Sequence, residues 1–477
     1  MRIIKIVLSI VIICSFLFSF TACSDNGNKD VDRTEKLAET AMNINNININ
    51  ALEFQIYFYI IYNNFLTSTS GGSSSGLNSS VSLQEQTCAI SGYTNMTWAQ
   101  YFVNSTESYC QELYSIVSEA EAEGYEMSQA EKDSFAQQAE TFRESVKSDA
   151  EANNQSEEKT LATLYGDDVT YEDIESINER IAYYSSYLTS KTVKDYSDEE
   201  IAAYYNENKN EIDTVTLRVA PIFYTTSITQ NNPYGYPDKQ TAYNQATEFA
   251  SRITSEEVFL SILDEYINES VSNYYGSNDY TLTKNITYSG FSAGQDGKDW
   301  AFDESRKTGD VEVFDNETSY LVVFYISRDT KNYNYVDVRN ILVKGFTDES
   351  KKKAEDIYNE WLSGTATEES FAELAEKYSE DTGSNENGGL YSDITKGSFV
   401  TELDEWSFDQ SRLPGDCEII LGKYGYYIMY FSKKGSNVRK TLVEKALQNK
   451  LYSEVLKSAI EKYPYTSYKS VMLSVIP

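Results

Sequence analysis

The sequence predicts an α+β multidomain protein, with an all-helical N-terminal region, two related α+β units in tandem and a closing C-terminal helix. Three observations predict this order. Apolar residues recur at helical spacing between 33 and 208, and no strand pattern interrupts 90–208. A segment near position 300 is repeated 106 residues later. An apolar stripe at helical spacing returns after residue 437.

The first 22 residues have the order of a secretion signal. Arg2 and Lys5 form a short basic segment, and an apolar run from Ile6 to Phe20 follows. That run of about fifteen residues is shorter than the ~20 residues that a membrane-spanning helix needs. Residues 1–22 are therefore expected to be a signal peptide, and the alternatives are an ordinary, non-lipoprotein signal or a lone anchor helix.

The end of this signal resembles the lipobox that lipoprotein signal peptidase cuts, in the segment Phe20-Thr21-Ala22-Cys23. The resemblance implies a lipid on the thiol of Cys23. The polar run that follows is typical of a tether, which we place at 23–32. The expected location is the cell membrane, where the lipid anchors the chain at the extracytoplasmic face.

The charge of the chain excludes polyanionic partners. The 74 acidic and 40 basic residues give a net charge of −34, which becomes −36 without residues 1–22, because these contain two basic residues and no acid. Such a surface repels nucleic acid and anionic lipid. The 40 tyrosines provide aromatic rings that can contact exposed apolar segments of other chains.

The residue types also limit the possible chemistry. The chain has no histidine, which removes Ser-His-Asp and Cys-His catalysis and ordinary histidine-containing zinc sites. It has no CxxC, GxGxxG or Walker-type motif, so no metal or cofactor is predicted. Beyond the signal and Cys23, three cysteines remain. Cys88 and Cys110 could pair, but the odd count with Cys417 favours free thiols.

The N-terminal region 33–208 reads as helical throughout, apart from a Ser/Gly/Thr-rich loop at 67–82. Its aromatic stripes are expected to be core, and an exposed groove for unfolded chains is the alternative. The expected helices are 33–66, 98–123, 128–150, 170–191 and 197–208.

The second half contains the internal repeat. Seven of eleven positions are identical, without a gap, between Trp300–Asp310 and Trp406–Asp416. Each copy begins with a strand-like segment, Val215–Phe223 in the first copy and Val336–Val343 in the second, and these two segments are 121 residues apart. In each copy a second strand-like segment follows the eleven-residue motif. Two related domains in tandem explain both offsets, with about fifteen extra residues in the first.

The second copy is the clearer of the two. Alternating apolar residues predict a strand at 336–343, and helical spacing predicts helices at 348–362 and 369–378. A polar, glycine-rich loop, a short helix and two strands complete the order β-α-α-α-β-β, with room for a further short strand near 389–394. A small sheet covered by helices is an α+β domain.

The closing segment 437–463 is predicted to be a helix that Pro464 ends. Its apolar stripe requires a partner surface, either the N-terminal helical region or the adjacent α+β unit. The stripe consists of Leu447, Leu451, Val455, Ala459 and Ile460.

Several segments of the second copy resemble the parvulin prolyl isomerases in order and spacing. These are Val338–Val343, Phe371–Asp381, Gly388–Leu390, Gly397–Phe399 and Tyr424–Ile428. The resemblance covers about 334–435, and residues 213–330 look like a second, degenerate parvulin. With a helical region and a closing helix, the whole order resembles the PrsA/SurA-type secretion foldases, in which 33–208 would be the chaperone-like domain.

The resemblance implies an isomerase that rotates X–Pro amides of unfolded or newly exported proteins without a cofactor. By position in the motifs, Leu390, Phe399 and Leu403 would form the apolar pocket for the proline ring. Asp381 would lie beside the amide. The plainer alternative for Leu390 and Leu403 is core packing, and for Asp381 a loop residue that binds backbone amides.

The two histidines of the family's polar network map onto Asn340 and Tyr427, which implies weak catalysis. In the first copy the same positions map onto Val219 and, roughly, Leu321, which implies an inactive unit used for scaffolding or client contact. A non-catalytic holdase chaperone is the alternative function. A solute-binding lipoprotein is a third, but it predicts strand–helix alternation throughout, which the helical region and the repeat do not show.

Overall fold

The structure, a computed structural model, describes residues 35–68, 76–78, 80–225, 236–266 and 278–476. The predicted signal peptide, Cys23 and the tether lie outside these residues. In the described part of the chain, no helix has the length and apolar character needed to cross a membrane.

The chain divides into two compact units. The first comprises the chain up to Asp195 together with the segment from Gln448 onward, and the second comprises Tyr196–Leu447. The strands are β1 (Thr40–Ile44), β2 (Ile47–Asn50), β3 (Thr214–Phe223), β4 (Leu282–Thr287), β5 (Val311–Asp315), β6 (Ser319–Asp329), β7 (Asn334–Lys344), β8 (Leu390–Ile394), β9 (Cys417–Gly422), β10 (Gly425–Asn437) and β11 (Tyr465–Ser467). The helices are α1 (Ala51–Thr67), α2 (Trp98–Ala122), α3 (Gln129–Ala152), α4 (Glu157–Tyr165), α5 (Tyr171–Thr192), α6 (Asp198–Glu207), α7 (Lys209–Ile212), α8 (Lys239–Arg252), α9 (Glu256–Ile262), α10 (Gly294–Ala301), α11 (Asp348–Ser363), α12 (Glu368–Tyr378), α13 (Thr401–Ser407), α14 (Val438–Lys462) and α15 (Lys469–Ser474).

The start of the first unit corrects the prediction of a helix over 33–66. Strands β1 and β2 form a hairpin, and β11 joins them in a sheet of order β11-β1-β2. The hairpin turns at Asn45 and Asn46, whose φ angles of 48° and 67° lie in the left-handed region that asparagine tolerates. Helix α1 begins only at Ala51, where the side chain of Asn50 accepts the backbone N–H of Glu53 at 2.8 Å.

The aromatic stripes of the first unit form its core, as the spacing predicted. Phe58 of α1 packs edge-to-face on Phe102 of α2 at 6.0 Å between ring centroids, and Trp98 stacks on Phe102 at 5.6 Å. All three side chains are fully buried. Cys88 and Cys110 are buried in the same core as free thiols, and Cys417 is also free.

Helix α14 confirms the predicted closing helix and its end before Pro464. Its C-terminal half belongs to the first unit, where Leu456, Ala459 and Tyr463 lie in the core with residues of α1, α2 and α5. Only part of the predicted apolar stripe therefore packs in the core of the first unit. Leu447 packs instead within the second unit, in the cluster that contains Val443 and Ile201.

The second unit contains two separate four-stranded antiparallel sheets with the same strand order. The first sheet has the order β4-β3-β6-β5, and the second has the order β8-β7-β10-β9. Strand β8 is the further short strand expected near 389–394. The pairing reproduces both sequence offsets, because Val219 pairs with Val323 in the first sheet and Asn340 pairs with Met429 in the second.

The eleven-residue repeat forms the same turn in both copies. The motif glycine, at φ 97° in each, donates its N–H across the turn to a strand carbonyl at 2.9 Å: Gly309 to Tyr325, and Gly415 to Phe431. The motif arginine lies over the motif tryptophan, 5.2 Å from the ring centroid in the first copy and 4.5 Å in the second. The identities in the repeat therefore have a structural cause.

Candidate functional site

Asn340 lies in the middle of β7, between the neighbouring strands β8 and β10. Its side chain is 3% exposed. Its backbone N–H donates to the carbonyl of Gly389, the residue just before β8, at 2.9 Å. Gly389 has φ 72°, and a Cβ there would lie 2.3 Å from the carbonyl oxygen of Asn340, so only glycine fits. This close contact brings the loop after α12 against the side chain of Asn340.

The carboxylate of Asp381, in that loop, is the centre of a hydrogen-bond network. Three side-chain donors converge on its Oδ2, and one backbone N–H reaches its Oδ1. The donors are Nδ2 of Asn340 (2.7 Å), Oγ of Ser384 (2.8 Å), the hydroxyl of Tyr391 (2.8 Å) and the N–H of Gly383 (3.2 Å). Burial alone would raise the pKa of Asp381, but these hydrogen bonds outweigh burial and hold the pKa below its usual range. The site thus contains a carboxylate anion at neutral pH.

Two members of this network, Ser384 and Tyr391, were not predicted from the sequence. Ser384 is buried in the glycine-rich loop, and its hydroxyl is directed inward by the turn that begins at Asp381. Tyr391 lies on β8, and burial and its hydrogen bond to Asp381 raise its pKa. Its ring meets the ring of Phe399 edge-to-face at 5.2 Å, which joins the polar network to the expected pocket.

Tyr427 lies on β10, on the same face of the sheet as Asn340, because Met429, two residues further along β10, is the direct partner of Asn340. Its side chain is 6% exposed. Burial, followed by the nearby charge of Asp381, raises the pKa of Tyr427, so its phenol stays protonated at neutral pH. The structure therefore places Asn340 and Tyr427, the two residues expected at the positions of the family's histidines, on one face of adjacent strands.

The expected pocket residues do not all lie together. Leu403 of α13 is buried with Tyr427 beside Gly422, where an added Cβ would lie 3.0 Å from both side chains. Phe399 packs against the same cluster and is half-buried. Leu390 does not join them. It pairs directly with Arg339, whose side chain binds Glu368 of α12 at 2.9 Å, so it lies on the opposite, helix-covered face.

The first copy has no polar residue at the two network positions. Val219 pairs with Val323, and Leu321 pairs with Pro221, in the register that Asn340 and Tyr427 occupy in the second copy. What the copies share is structural. Arg218 binds Glu256 of α9 at 2.8 Å, as the equivalent arginine of the second copy binds the first residue of α12.

Comparison with known proteins finds a matching domain family and relatives in sequence. Residues 321–434 match the family of PPIC-type PPIase domains. Foldase protein PrsA of Caldanaerobacter subterraneus subsp. tengcongensis is 30% identical over 171 residues, which are 33% of this chain and 51% of that protein. Foldase protein PrsA 4 of Bacillus cereus is 31% identical over 123 residues, 24% of this chain and 40% of that protein. The chain spans about half the length of the curated relatives it matches.

Among solved structures, PrsA from Bacillus subtilis is 12% identical, with a TM-score of 0.25 over 80% of this chain and 93% of that one. PrsA from Bacillus anthracis is 15% identical, with a TM-score of 0.22 over 48% of this chain and 90% of that one. The family match confirms the resemblance for the second copy: residues 321–434 carry a PPIC-type PPIase domain, and about a third of the chain is similar in sequence to PrsA foldases.

Proposed function

We propose that this chain is an extracytoplasmic foldase whose 334–435 domain isomerises X–Pro bonds of newly exported proteins. The observation that supports this most is the ionised carboxylate of Asp381, which accepts four hydrogen bonds and is linked through Tyr391 to the expected pocket residue Phe399. In this proposal the 33–208 region and the degenerate 213–330 domain hold the unfolded client.

The reaction rotates an amide and breaks no covalent bond. The barrier of about 18–20 kcal/mol comes from resonance that keeps the amide planar and dipolar. An apolar pocket formed by Phe399 and Leu403 stabilises the planar form less than water does. Donors near the prolyl nitrogen favour the twisted form, in which the nitrogen lone pair is localised, and only such differential binding raises the rate. The phenol of Tyr427 is a donor on this face of the sheet that could take this role.

The catalysis is expected to be slow because of the two replaced histidines. Asn340 uses its Nδ2 on Asp381, and among the described residues its Oδ1 has no hydrogen-bond partner. The polar network is therefore less complete than one built on two histidines. Losing one preorganised hydrogen bond in an active site can cost about 2.7–4 kcal/mol, or two to three orders of magnitude in rate.

The double variant Asn340→His, Tyr427→His should isomerise a proline peptide about 10²-fold faster than the wild type, mainly through kcat. Exchange NMR on a short Ala-Pro peptide measures both rate and affinity without a coupled protease. The matched control is Val219→His, Leu321→His at the same two positions of the first copy, and it should gain nothing. A wild type as fast as ordinary parvulins, or a double variant without gain, contradicts this site assignment.

A holdase without turnover is the second candidate, and the absence of histidine from both copies favours it. The two candidate functions differ in the expected effect of removing Asp381. A holdase should suppress the aggregation of an unfolded client equally well with and without Asp381, whereas the isomerase should lose its acceleration of a proline-limited refolding step.

Anchoring by lipid at Cys23 is part of the proposal, because the apolar run, the small residues and the polar tether are arranged as in lipoproteins. Cys23→Ala expressed in a Gram-positive host should lose incorporation of labelled palmitate and leave the membrane fraction. The matched control is Cys14→Ala, inside the signal, which should still be labelled. A Cys23→Ala protein that remains labelled and membrane-bound contradicts the assignment.

A further inference from the structure

The turn Thr395–Ser398, which we call the pocket turn, connects β8 to the pocket residue Phe399. Within its own domain the turn is closed by the N–H of Ser398, which donates to the carbonyl of Thr395 at 3.1 Å. The carboxylate of Asp404, on the helix that also carries Leu403, accepts the N–H of Gly397 at 2.8 Å. The position of Phe399 therefore depends on how this turn is held.

The linker between the two copies holds the turn from outside. Tyr333 is 6% exposed, and its hydroxyl accepts the backbone N–H of Lys396 at 3.2 Å. The same hydroxyl donates to the carboxylate of Asp329 at 3.3 Å, at the end of β6 of the first copy. The ammonium group of Lys396 lies 4.9 Å from the centroid of the Tyr333 ring. The linker thus contacts the backbone and the side chain of one turn residue.

The first copy contacts the same turn through β4. Asn285 donates its Nδ2 to the carbonyl of Lys396 at 3.4 Å, and its Oδ1 accepts the hydroxyl of Thr214 on β3 at 3.4 Å. Its backbone has φ 54°, in the left-handed region, where the register between β3 and β4 is irregular. A β-bulge of this kind redirects a side chain out of the strand. Here the redirected amide reaches the other copy.

The contacts continue from the turn to the carboxylate. Phe399 follows the turn directly, and its ring meets Tyr391 at 5.2 Å. The hydroxyl of Tyr391 donates to Asp381 at 2.8 Å. A displacement of the turn would therefore move one wall of the pocket and one donor of the polar network together.

We propose that the degenerate first copy positions the prolyl pocket of the second, with Asn285 and Tyr333 as positioning residues for the binding of X–Pro segments. This inference rests on the proposed function, and it gives the first copy a role that needs no catalysis. A site whose side chains are held before the ligand arrives loses less conformational entropy on binding. The proposal predicts faster amide exchange in the pocket turn and weaker peptide binding when the two contacts are removed.

The test uses the full-length chain with Asn285→Gly and Tyr333→Phe, singly and together. Glycine tolerates φ 54°, so this change removes the amide without straining the backbone. Phenylalanine keeps the ring of Tyr333 and removes only the hydroxyl that accepts from Lys396 and donates to Asp329. Thr283→Ala, exposed on the same strand, and Tyr335→Phe, two residues further along, are the matched controls.

Two quantities are measured, the hydrogen exchange of the amides from Lys396 to Phe399 and the Kd of an Ala-Pro peptide. We expect faster exchange and a Kd about 3- to 10-fold weaker for each variant, as for the loss of one hydrogen bond, and a larger effect for the pair. The controls should match the wild type.

The outcomes separate this inference from the function on which it rests. If the wild type binds the peptide and both variants bind it equally well, the inference is overturned while the proposed function stands. Faster exchange at the turn with an unchanged Kd overturns it as well, because the turn would then not position the pocket. A wild type that binds no prolyl peptide overturns the proposed function together with the inference.

Discussion

Asp381→Ala is expected to abolish the binding of prolyl peptides and to destabilise the 334–435 domain by about 2–4 kcal/mol. The reason is the set of donors that lose their acceptor. Asn340 and Ser384 are almost fully buried, and neither can turn to water without moving the loop after α12. Each buried donor left without a partner costs about 1–3 kcal/mol. The loop would lose its closure, and Tyr391 would no longer be held against Phe399.

The effect of this substitution should depend on pH. Because the pKa of Asp381 lies below its usual range in the folded protein, the folded state favours the ionised carboxylate, despite the opposing effect of burial. The stabilisation is therefore complete above the pKa of the unfolded chain, near ~4, and it is lost as the pH falls through the lower folded pKa. The difference in unfolding free energy between wild type and Asp381→Ala should be constant at neutral pH and shrink in acid.

Urea unfolding followed by hydrogen exchange of the β7 and β10 amides measures this difference domain by domain. Glu386→Ala, which removes an exposed acid from the same loop, is the matched control and should leave the unfolding free energy at neutral pH unchanged. Asp381→Asn keeps an acceptor oxygen and should lie between wild type and alanine. A variant Asp381→Ala with full stability and full peptide affinity at neutral pH would show that the site lies elsewhere.

The sequence was sufficient for the parts of the site that strand register determines. Offsets of 121 and 106 residues relate Val219 to Asn340 and Leu321 to Tyr427, and the sheets pair these positions as the offsets require. A shift of one residue would turn every side chain to the other face, so register is strongly constrained where one face is buried. The family resemblance pointed to Asn340 and Tyr427, and strand register explains why these two residues, far apart in the chain, lie on one face of adjacent strands.

The same rule explains the residue that was misplaced. Leu390 and Tyr391 are neighbours on β8, so they face opposite sides of the sheet, and the motif alone did not decide which of them faces the pocket. Pairing with Val338 places Tyr391 on the face of Asn340. The helix predicted over 33–66 failed for a different reason, because β1 is stabilised by β11, about 420 residues away, and no local pattern contains that pairing.

Deleting residues 448–477 is expected to unfold the first unit and to leave the second folded. The deleted segment supplies five buried side chains to the core of the first unit: Leu456, Ala459, Tyr463, Met472 and Ile476. Fully burying one large apolar side chain contributes about 1.5–3 kcal/mol, so the four larger side chains, without Ala459, contribute on the order of 6–12 kcal/mol. That equals the whole stability of a typical domain, about 5–15 kcal/mol.

Further contacts within the first unit are lost with the same segment. The deletion removes β11, so the backbone groups of β1 that pair with it lose their hydrogen bonds. It also removes Tyr452, whose hydroxyl lies 2.9 Å from the hydroxyl of Tyr184 and forms a hydrogen bond with it. The deletion begins at Gln448 because Val438–Leu447 belongs to the second unit, where Val443 is buried with Ile201 and Tyr205. The second unit therefore keeps all of its own core residues.

Limited proteolysis with mass spectrometry can follow the two units separately in one sample. Cleavage in the truncated chain should concentrate in α1, α2 and α5, while the two four-stranded sheets stay protected. Met472→Ala should give a graded version of the effect, about 2–5 kcal/mol, and Lys457→Ala on the exposed face of α14 should give none. If both units of the truncated chain resist protease as well as the wild type, the C-terminal segment is not part of the first unit's core. If the first unit alone unfolds, the segment from Gln448 onward is needed to complete the core of that unit. The first unit could then finish folding only after residues that follow both four-stranded sheets in the chain are present.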